Sequence, residues 1–538
     1  MQDLFLLPLF SAVLCAISLP NDIFLAGLWP LGFLSLIPFY ITLRRAASPR
    51  RAAIAGAVFG GMHHALTSYW LFFYKGFAFW TLGTTTIAYA VVYATIGLYG
   101  SFLLRSETKA YRPFLFALGW TVFEFLKSTG FLGYPWGLVP YSLTSAPVFL
   151  QIADSTGVYG LSFILALSAA VLSELFVLKN QKTHSGLSRQ SESPLLAGKA
   201  AAFAALLIAL TLGYGLVAMN TDIPVKAVLR AILVQQNTDP WISGEYAALE
   251  SNVSLARKAF DENAAAGGRR ADLMVFSETS LRRPFGDYRD WFATHPQKDP
   301  LLPMLAETDS YLLTGAPVVL DWDTYAATNS VIFISPEGQL IKSYAKIHPV
   351  PFAEAIPLWE YEWFRKFMRE VIGIDSGWVM GSELTVFSIP LKSAAGDVQR
   401  IDFSTPICFE DAFADLCRQY FLKGADLLIN LTNDSWSTKK SAQIQHWAIA
   451  RFRAIENRRT LVRSTNSGVS CVVDPWGKML FEMPQFENFS AAVDIPIFEL
   501  PKLTIYTAYG DWFALVCALL FSSRVIINCI KFRKSLAV

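Results

Sequence analysis

Charged residues are scarce in this chain of 538 residues. Only 16% are Asp, Glu, Lys or Arg, whereas an ordinary soluble domain has about 25%, and 53% are hydrophobic. The 45 basic and 43 acidic residues leave a net charge of +2, so there is no basic excess to neutralise a phosphate backbone. This composition argues against a wholly soluble protein and gives nucleic-acid binding no support.

Cysteines are also few, and their spacing excludes two common uses. Of the six, Cys15, Cys517 and Cys529 lie in apolar segments, while Cys408, Cys417 and Cys471 lie in the polar part of the chain. None has the paired spacing of a zinc site or of a disulfide scaffold. The cysteines therefore predict neither a metal site nor a disulfide scaffold.

Long apolar runs are abundant, and a transmembrane helix needs about 20 mostly apolar residues. Seven runs precede the polar part of the chain and one follows it. We predict seven transmembrane helices in residues 1–220 and an eighth in residues 506–538. The predicted spans are 4–19, 23–43, 52–73, 78–104, 113–130, 157–178, 200–220 and 508–528.

The basic residues flanking these runs predict the orientation, because cytoplasmic loops are enriched in Lys and Arg. They follow alternate spans: Arg44, Arg45, Arg50, Arg51, Arg105, Lys109, Arg112, Lys179, Lys182, Arg189, Lys199, Lys531, Arg533 and Lys534. Both termini should therefore be cytoplasmic. In a bacterial inner membrane, residues 221–505 would lie on the periplasmic side.

Residues 221–505 alternate short β-rich runs with helical stretches, which favours one layered α/β domain. SPEGQ at 335–339 and DPWGK at 474–478 are typical of hairpin turns. The predicted helices are 244–266, 411–422 and 441–458. The predicted strands are 228–235, 271–278, 311–319, 328–335, 402–410, 425–433 and 460–466.

Three reactive side chains lie at or near the ends of apolar runs, where an α/β sheet tends to expose catalytic groups. They are Glu278 in LMVFSETS, Lys346 in SYAKIHPVPFAE and Cys408 in TPICFEDAF. Taken singly, a Cys in a strand is more often a small buried hydrophobe, and a lone Glu or Lys is more often a surface charge. The three together favour a catalytic interpretation.

In order and context these residues resemble the Glu-Lys-Cys triad of the carbon-nitrogen hydrolase, or nitrilase, superfamily. Further matches are PFAE ending at Glu354, CFED, NLTNDSW at 430–436, RFRAIENRR at 451–459 and STNSG at 464–468. A nitrilase-like domain between seven leading spans and one trailing span resembles the apolipoprotein N-acyltransferase family. TGFLGYPWGLVPYS at 129–142 and QIADSTGVYGLSF at 151–163 extend the resemblance into the apolar region.

The resemblance implies an αββα sandwich and an acyl transfer without a cofactor. A phospholipid would supply the acyl chain, and the α-amino group of the S-diacylglyceryl cysteine of an apolipoprotein would accept it. Phe409 stands where Tyr is common in the family, and Trp241 follows Asn237 at a shorter spacing than usual. The resemblance implies supporting or substrate-binding roles for Trp241, Tyr344, Glu354, Phe409, Glu410 and Trp436.

Acyl transfer through a covalent intermediate explains the three residue types. Cys408 would be the nucleophile, Glu278 the general base, and Lys346 the cation that stabilises thiolate and oxyanion. Free Cys and Glu differ in pKa by about 4 units. We expect burial to raise the pKa of Glu278 and the ammonium of Lys346 to lower the pKa of Cys408.

Two other functions stay open at this point. A membrane-tethered amidase would use the same triad and let water resolve the thioester. A catalytically idle paralogue or membrane scaffold would need neither the triad nor a thioester. The presence of all three triad residues argues against this alternative. The eight predicted spans favour transfer between membrane-anchored lipids, because a soluble amide gives no reason for a lipid-facing site.

The segment 355–381 is unusually aromatic and basic for an exposed loop. Trp359, Trp363 and Phe367 are mixed with Arg365 and Lys366. Such a mixture on a short amphipathic helix suits the headgroup boundary of a bilayer. We therefore expect an interfacial lid here, the alternative being an ordinary helix packed on the sandwich.

Overall fold

The computed structural model describes residues 2–73, 79–106, 111–184, 194–238, 244–323, 326–351, 353–356, 358–359, 361–372, 377–392, 398–500 and 502–536. The chain forms two compact units. The first unit comprises Met1–Asp222, Trp436–Glu456 and Leu503–Val538, and the second comprises Ile223–Ser435 and Asn457–Lys502.

The first unit is helical. Four helices in the described part of the chain are long and apolar enough to cross a membrane: Phe79–Leu104, Val158–Phe176, Gly198–Met219 and Trp512–Ile530. A shorter apolar helix covers Leu4–Ser18. The α-helices of nine or more residues are Gln2–Ser18, Ile37–Arg45, Pro49–Thr67, Thr85–Ser106, Arg112–Ser128, Val158–His184, Pro194–Met219, Lys440–Asn457 and Trp512–Leu536.

The predicted span 23–43 is wrong as a single helix. A 3₁₀ helix covers Trp29–Phe33, and a separate α-helix covers Ile37–Arg45. Pro30 and Pro38 lie in the first turn of these two helices. Proline has no N–H to donate inside a longer helix but is tolerated in a first turn, so the two prolines favour two short helices.

Small residues allow the helices Pro49–Thr67 and Thr85–Ser106 to pack closely. A Cβ added at Gly56 would lie 2.1 Å from the carbonyl oxygen of Tyr93, and one at Gly97 would lie 2.1 Å from that of Ala52. Close backbone approach over small residues is a usual way for apolar helices to associate. Larger side chains at these two positions would therefore force the helices apart.

Residues 436–456 belong to the first unit, although in sequence they interrupt the second. Trp70 Nε1 donates to Gln445 Oε1 at 2.9 Å, and Gln445 Nε2 donates to the carbonyl of Pro20 at 2.8 Å. Arg451 donates to the carbonyl of Thr144 at 2.6 Å. The helix Lys440–Asn457 is thus held by loops that connect the apolar helices.

The second unit contains two six-stranded sheets within the described residues. Their strand orders are β12-β1-β2-β3-β4-β5 and β11-β10-β9-β8-β7-β6. Strands β1, β2 and β3 are parallel to one another, as are β7, β8 and β9. The strands are β1 Val225–Gln235, β2 Leu273–Val275, β3 Tyr311–Asp321, β4 Ala326–Ile334, β5 Leu340–Ala345, β6 Phe387–Lys392, β7 Val398–Ser404, β8 Leu427–Thr432, β9 Thr460–Thr465, β10 Cys471–Val473, β11 Met479–Glu482 and β12 Phe489–Phe498.

The two sheets pack face to face, which confirms the predicted layered α/β domain. The ring of Phe333 in β4 lies 5.9 Å from that of Phe387 in β6 and 5.6 Å from that of Phe403 in β7. Helix Glu245–Ala265 covers the outer face of the first sheet, where Leu249 and Val253 join its buried core. The other helices of this unit are Phe285–Thr294, Leu302–Thr308, Glu362–Phe367 and Ala414–Leu422.

The predicted turns match the structure and each predicted strand overlaps an observed one, but the strand predicted at 271–278 is observed only as Leu273–Val275. Gly338 and Gly477 adopt positive φ angles of 75° and 79° in the predicted hairpins, which link β4 to β5 and β10 to β11. The predicted strand 402–410 is wrong at its end, because β7 stops at Ser404. Pro406 cannot donate to a sheet ladder, and Cys408 opens a short 3₁₀ turn instead.

Candidate active site

Glu278 lies three residues beyond the end of β2, and its carboxylate is fixed from two sides. Asn329 Nδ2 donates to Oε1 at 2.9 Å, and the backbone N–H of Asn433 donates to Oε2 at 2.9 Å. Gly315 in β3 packs closely against the main chain of Glu278 and Thr279, since a Cβ at Gly315 would lie 2.5 Å from the nitrogen of Thr279. The carboxylate therefore has a defined position.

Lys346 directly follows β5 and reaches the same carboxylate. Its Nζ lies 3.4 Å from Oε1 of Glu278 and 2.8 Å from the carboxylate of Glu354. Glu354 is itself fixed, because it accepts from the backbone N–H of Val350 at 2.7 Å and from Asn329 Nδ2 at 3.0 Å. One ammonium thus joins two carboxylates that Asn329 also bridges.

Cys408 completes the group at the start of the turn Cys408–Ala412. Its φ angle of 49° lies in the left-handed region, which non-glycine residues rarely adopt outside functional sites. Asn430 Nδ2 holds this backbone by donating to the carbonyls of Pro406 at 3.0 Å and Cys408 at 3.2 Å. The sulfur lies close enough to Glu278 and Lys346 for both charges to shift the pKa of its thiol.

Burial controls the protonation of the three groups, whose exposures are 5% for Glu278, 2% for Lys346 and 8% for Cys408. Burial raises the pKa of Glu278, and Lys346 only partly opposes it. Burial alone would lower the pKa of Lys346, but Glu354 and Glu278 together raise it. The predicted direction for Glu278 is therefore confirmed, and Lys346 stays cationic.

The ammonium of Lys346 lowers the pKa of the Cys408 thiol, as predicted, but two other effects outweigh it in the resting site. Burial raises the pKa of the thiol well above the usual value, Glu278 adds to this, and Lys346 lowers it by less. The thiol is therefore protonated at neutral pH in the resting site. Thiolate formation at this sulfur therefore requires a base, and Glu278 is the carboxylate whose charge acts most strongly on the thiol.

Glu410 links the lysine segment to the cysteine turn. Burial raises the pKa of this carboxyl to about 7, although backbone N–H groups oppose the shift. Because its partners flank both Lys346 and Cys408, Glu410 fixes their relative position. Its carboxylate accepts hydrogen bonds from the phenol of Tyr344 and from the backbone N–H groups of Ile347, His348 and Ile407.

Three other residues were predicted to support the site or bind substrate: Phe409, Trp241 and Trp436. Phe409 is buried, and its ring packs 4.9 Å from that of Phe413 and 6.0 Å from that of His348. Trp241 lies outside the described residues. Trp436 belongs to the first unit, where its ring lies 5.4 Å from that of Trp70.

The sequence-based prediction missed the asparagines that position the carboxylates. Asn329 is a polar residue inside the buried strand β4, and Asn433 follows the apolar strand β8. A polar side chain within a fully buried strand was the signal for Asn329, because such a group needs a partner. Within the described ranges, no group of three or more His, Cys, Asp or Glu side chains is arranged to hold a metal ion.

The sequence of the sandwich matches a known family. Residues 230–497 match the carbon-nitrogen hydrolase family. Saccharomyces cerevisiae Nit3, a member of branch 10 of the nitrilase superfamily, aligns at a TM-score of 0.35 with 18% identity, covering 53% of this chain and 96% of that structure.

The helical part identifies a narrower family. Residues 11–171 match the apolipoprotein N-acyltransferase N-terminal domain. Apolipoprotein N-acyltransferase 2 of Treponema denticola is 38% identical over 533 residues, covering 97% of each chain. The protein of the same name from Treponema pallidum is 35% identical over 534 residues, covering 95% of this chain and 92% of its own. The chain belongs to the apolipoprotein N-acyltransferase family.

Proposed function

We propose that this protein transfers an acyl chain from a phospholipid, through a thioester on Cys408, to the α-amino group of the S-diacylglyceryl cysteine of an apolipoprotein. The convergence of Glu278, Lys346 and Cys408 in one buried site carries this proposal. The apolar helices and the names of the relatives support lipid-anchored substrates.

The first half-reaction forms the thioester. Glu278 takes the thiol proton as the sulfur attacks the ester carbonyl, and a tetrahedral oxyanion develops. The ammonium of Lys346, held cationic by Glu278 and Glu354, stabilises that oxyanion. The adduct then breaks its C–O bond, and Glu278 returns the proton to the departing lysophospholipid oxygen.

The second half-reaction uses the same groups in the reverse direction. The neutral amine attacks the thioester carbonyl, and Glu278 takes the proton that the amine loses. The C–S bond breaks, and the thiolate recovers the proton from Glu278. A single base therefore serves both steps, and the cycle is ping-pong.

Acyl transfer and hydrolysis differ only in the nucleophile that attacks the thioester, which is an amine in the first and water in the second. An assay that supplies the acceptor amine therefore distinguishes them. The purified protein in detergent should be incubated with phospholipid and a synthetic diacylated lipopeptide. We expect a lipopeptide heavier by one acyl chain, and no product when its amino group is acetylated. Release of free fatty acid with an unchanged lipopeptide would indicate an amidase-like hydrolase, and an absence of both products would indicate an idle paralogue or scaffold.

We also propose that the protein spans the bacterial inner membrane with cytoplasmic termini and a periplasmic second unit. Arg44 and Arg45 end the helix Ile37–Arg45 and support a cytoplasmic loop there. Alkaline phosphatase fused after Ala47 should be inactive, and the same reporter fused after Pro300 should be active. Equal activity of the two fusions would contradict this orientation.

We propose that the segment around helix Glu362–Phe367 is an interfacial lid. Trp363, Phe367 and Val371 are 65%, 45% and 55% exposed, as expected for side chains that meet lipid. Trp363→Ala should lower turnover of bilayer phospholipid about tenfold while leaving alkylation of Cys408 by iodoacetamide unchanged. Equal losses in both assays would make Trp363 a residue of the fold.

Gly315 offers a test of how strictly the base has to be placed. Gly315→Ala would put a Cβ 2.8 Å from Cα of Glu278, so the base has to move. Since a displacement of about 1 Å costs about a hundredfold in rate, we expect a loss of that size in acyl-enzyme formation. Gly286→Ala is the matched control, because a Cβ there has open space within 4 Å. Equal rates for the two variants would show that β3 does not position Glu278.

A further inference from the structure

A buried arginine lies behind the site and contacts two of its loops. Arg463 is in the middle of β9 and is 0% exposed. One guanidinium nitrogen, Nη1, donates to Asp411, and the other, Nη2, donates to Asp434 at 3.5 Å. Both aspartates are themselves buried. The forked guanidinium therefore joins two carboxylates that lie 23 residues apart in the chain.

The first carboxylate belongs to the nucleophile turn. Asp411 lies in the 3₁₀ turn Cys408–Ala412, three residues after the sulfur nucleophile. That turn begins at the positive φ angle of Cys408, a conformation that the surrounding structure has to maintain. A charge-assisted hydrogen bond from β9 is a strong restraint on it.

The second carboxylate belongs to the loop that holds the base. Asp434 directly follows Asn433, whose backbone N–H donates to Oε2 of Glu278. Gly468 leaves the space for this carboxylate, since a Cβ there would lie 2.8 Å from Oδ2 of Asp434. A shift of Asp434 would therefore move the N–H donor that orients the base.

We infer that Arg463 is a positioning residue that sets the distance between the nucleophile and the base by holding their two loops with one guanidinium. This inference rests on the proposed acyl transfer. An ion pair that only stabilises the fold would need one carboxylate. The guanidinium of Arg463 instead contacts two, Asp411 in the nucleophile turn and Asp434 in the loop that holds the base. Lysine has a single point of charge and cannot reproduce a planar two-ended contact.

The test compares Arg463→Lys with Arg400→Lys, a surface control whose side chain is 70% exposed. Acyl-enzyme formation is measured at saturating phospholipid, and alkylation of Cys408 by iodoacetamide is measured from neutral to strongly alkaline pH. We expect Arg463→Lys to form acyl-enzyme about tenfold to a hundredfold more slowly at an unchanged half-saturating phospholipid concentration. Its alkylation at neutral pH should fall relative to its alkylation at alkaline pH.

Asp434→Asn separates positioning from charge and keeps the test informative if Arg463→Lys folds poorly. The negative charge of Asp434 disfavours the thiolate of Cys408. If Asp434 acted only through this charge, Asp434→Asn would be alkylated faster at neutral pH and would transfer the acyl chain faster. Positioning predicts slower acyl transfer instead.

The outcomes separate this inference from the proposed function. A wild-type rate and alkylation profile in folded Arg463→Lys, or faster transfer in Asp434→Asn, would overturn the role of Arg463. A wild-type protein that is alkylated normally but forms no acyl adduct would contradict the proposed function instead. In that case the comparison of the alkylation profiles of wild type and Arg463→Lys would still test the positioning role of Arg463.

Discussion

Replacing Glu278 by Gln should slow formation of the acyl-enzyme about a thousandfold, since general acid-base catalysis contributes about 10²- to 10⁴-fold. The amide keeps the shape of the side chain and an oxygen for the N–H of Asn433, but it cannot take the thiol proton. The loss should be severe because burial raises the pKa of Cys408 well above its usual value, so little thiolate forms without a base. Single-turnover quench with labelled phospholipid measures the rate.

Glu262→Gln is the matched control, because the side chain of Glu262 is 63% exposed on the outer helix Glu245–Ala265. It should retain the wild-type rate. A Glu278→Gln protein that acylates within a few-fold of wild type would show that another group removes the proton.

Replacing Lys346 by Met should also slow acyl-enzyme formation about a thousandfold, because it removes the cation that we propose stabilises the oxyanion. It also leaves the carboxylates of Glu278 and Glu354 without their shared ammonium. Lys346 lowers the pKa of Glu278 while Glu354 raises it. In the variant the pKa of Glu278 should therefore rise, and the residual rate should require a higher pH to reach its plateau.

The pH profile of the residual rate measures this shift. Lys258→Met, at a position whose side chain is 66% exposed, serves as the control. An unchanged pH profile in Lys346→Met would contradict the coupling of the two groups. Because both residues act on one step, the double variant with Glu278→Gln should lose little more than the worse single variant.

Much of the fold was predictable because periodicity and turn chemistry are local. The helix predicted at 244–266 is observed as Glu245–Ala265, and the glycines of SPEGQ and DPWGK are in the expected hairpins. The errors arose where proline overrides an apolar run. Pro30 and Pro38 divide a predicted span, and Pro406 ends a predicted strand before Cys408.

The three central residues and the direction of the Glu278 pKa shift were predictable from the sequence, but the net pKa shift of Cys408 was not. The net effect on the thiol depends on how far burial outweighs Lys346, which is a property of the packed site. Asn329, Asn433 and Arg463 act through contacts across strands and loops that are distant in sequence. The assignment of residues 436–456 to the helical unit likewise depends on tertiary contacts.

The covalent step is tested most directly by the intact mass of the protein itself. Purified wild-type protein incubated with a phospholipid of one defined acyl chain should gain the mass of the corresponding fatty acid less one water. Hydroxylamine should remove the adduct, and peptide mapping should locate it on Cys408. Cys408→Ala should gain nothing under the same conditions. An adduct of the same mass on Cys408→Ala, or none on a wild-type protein that still acylates lipopeptide, would contradict the thioester mechanism.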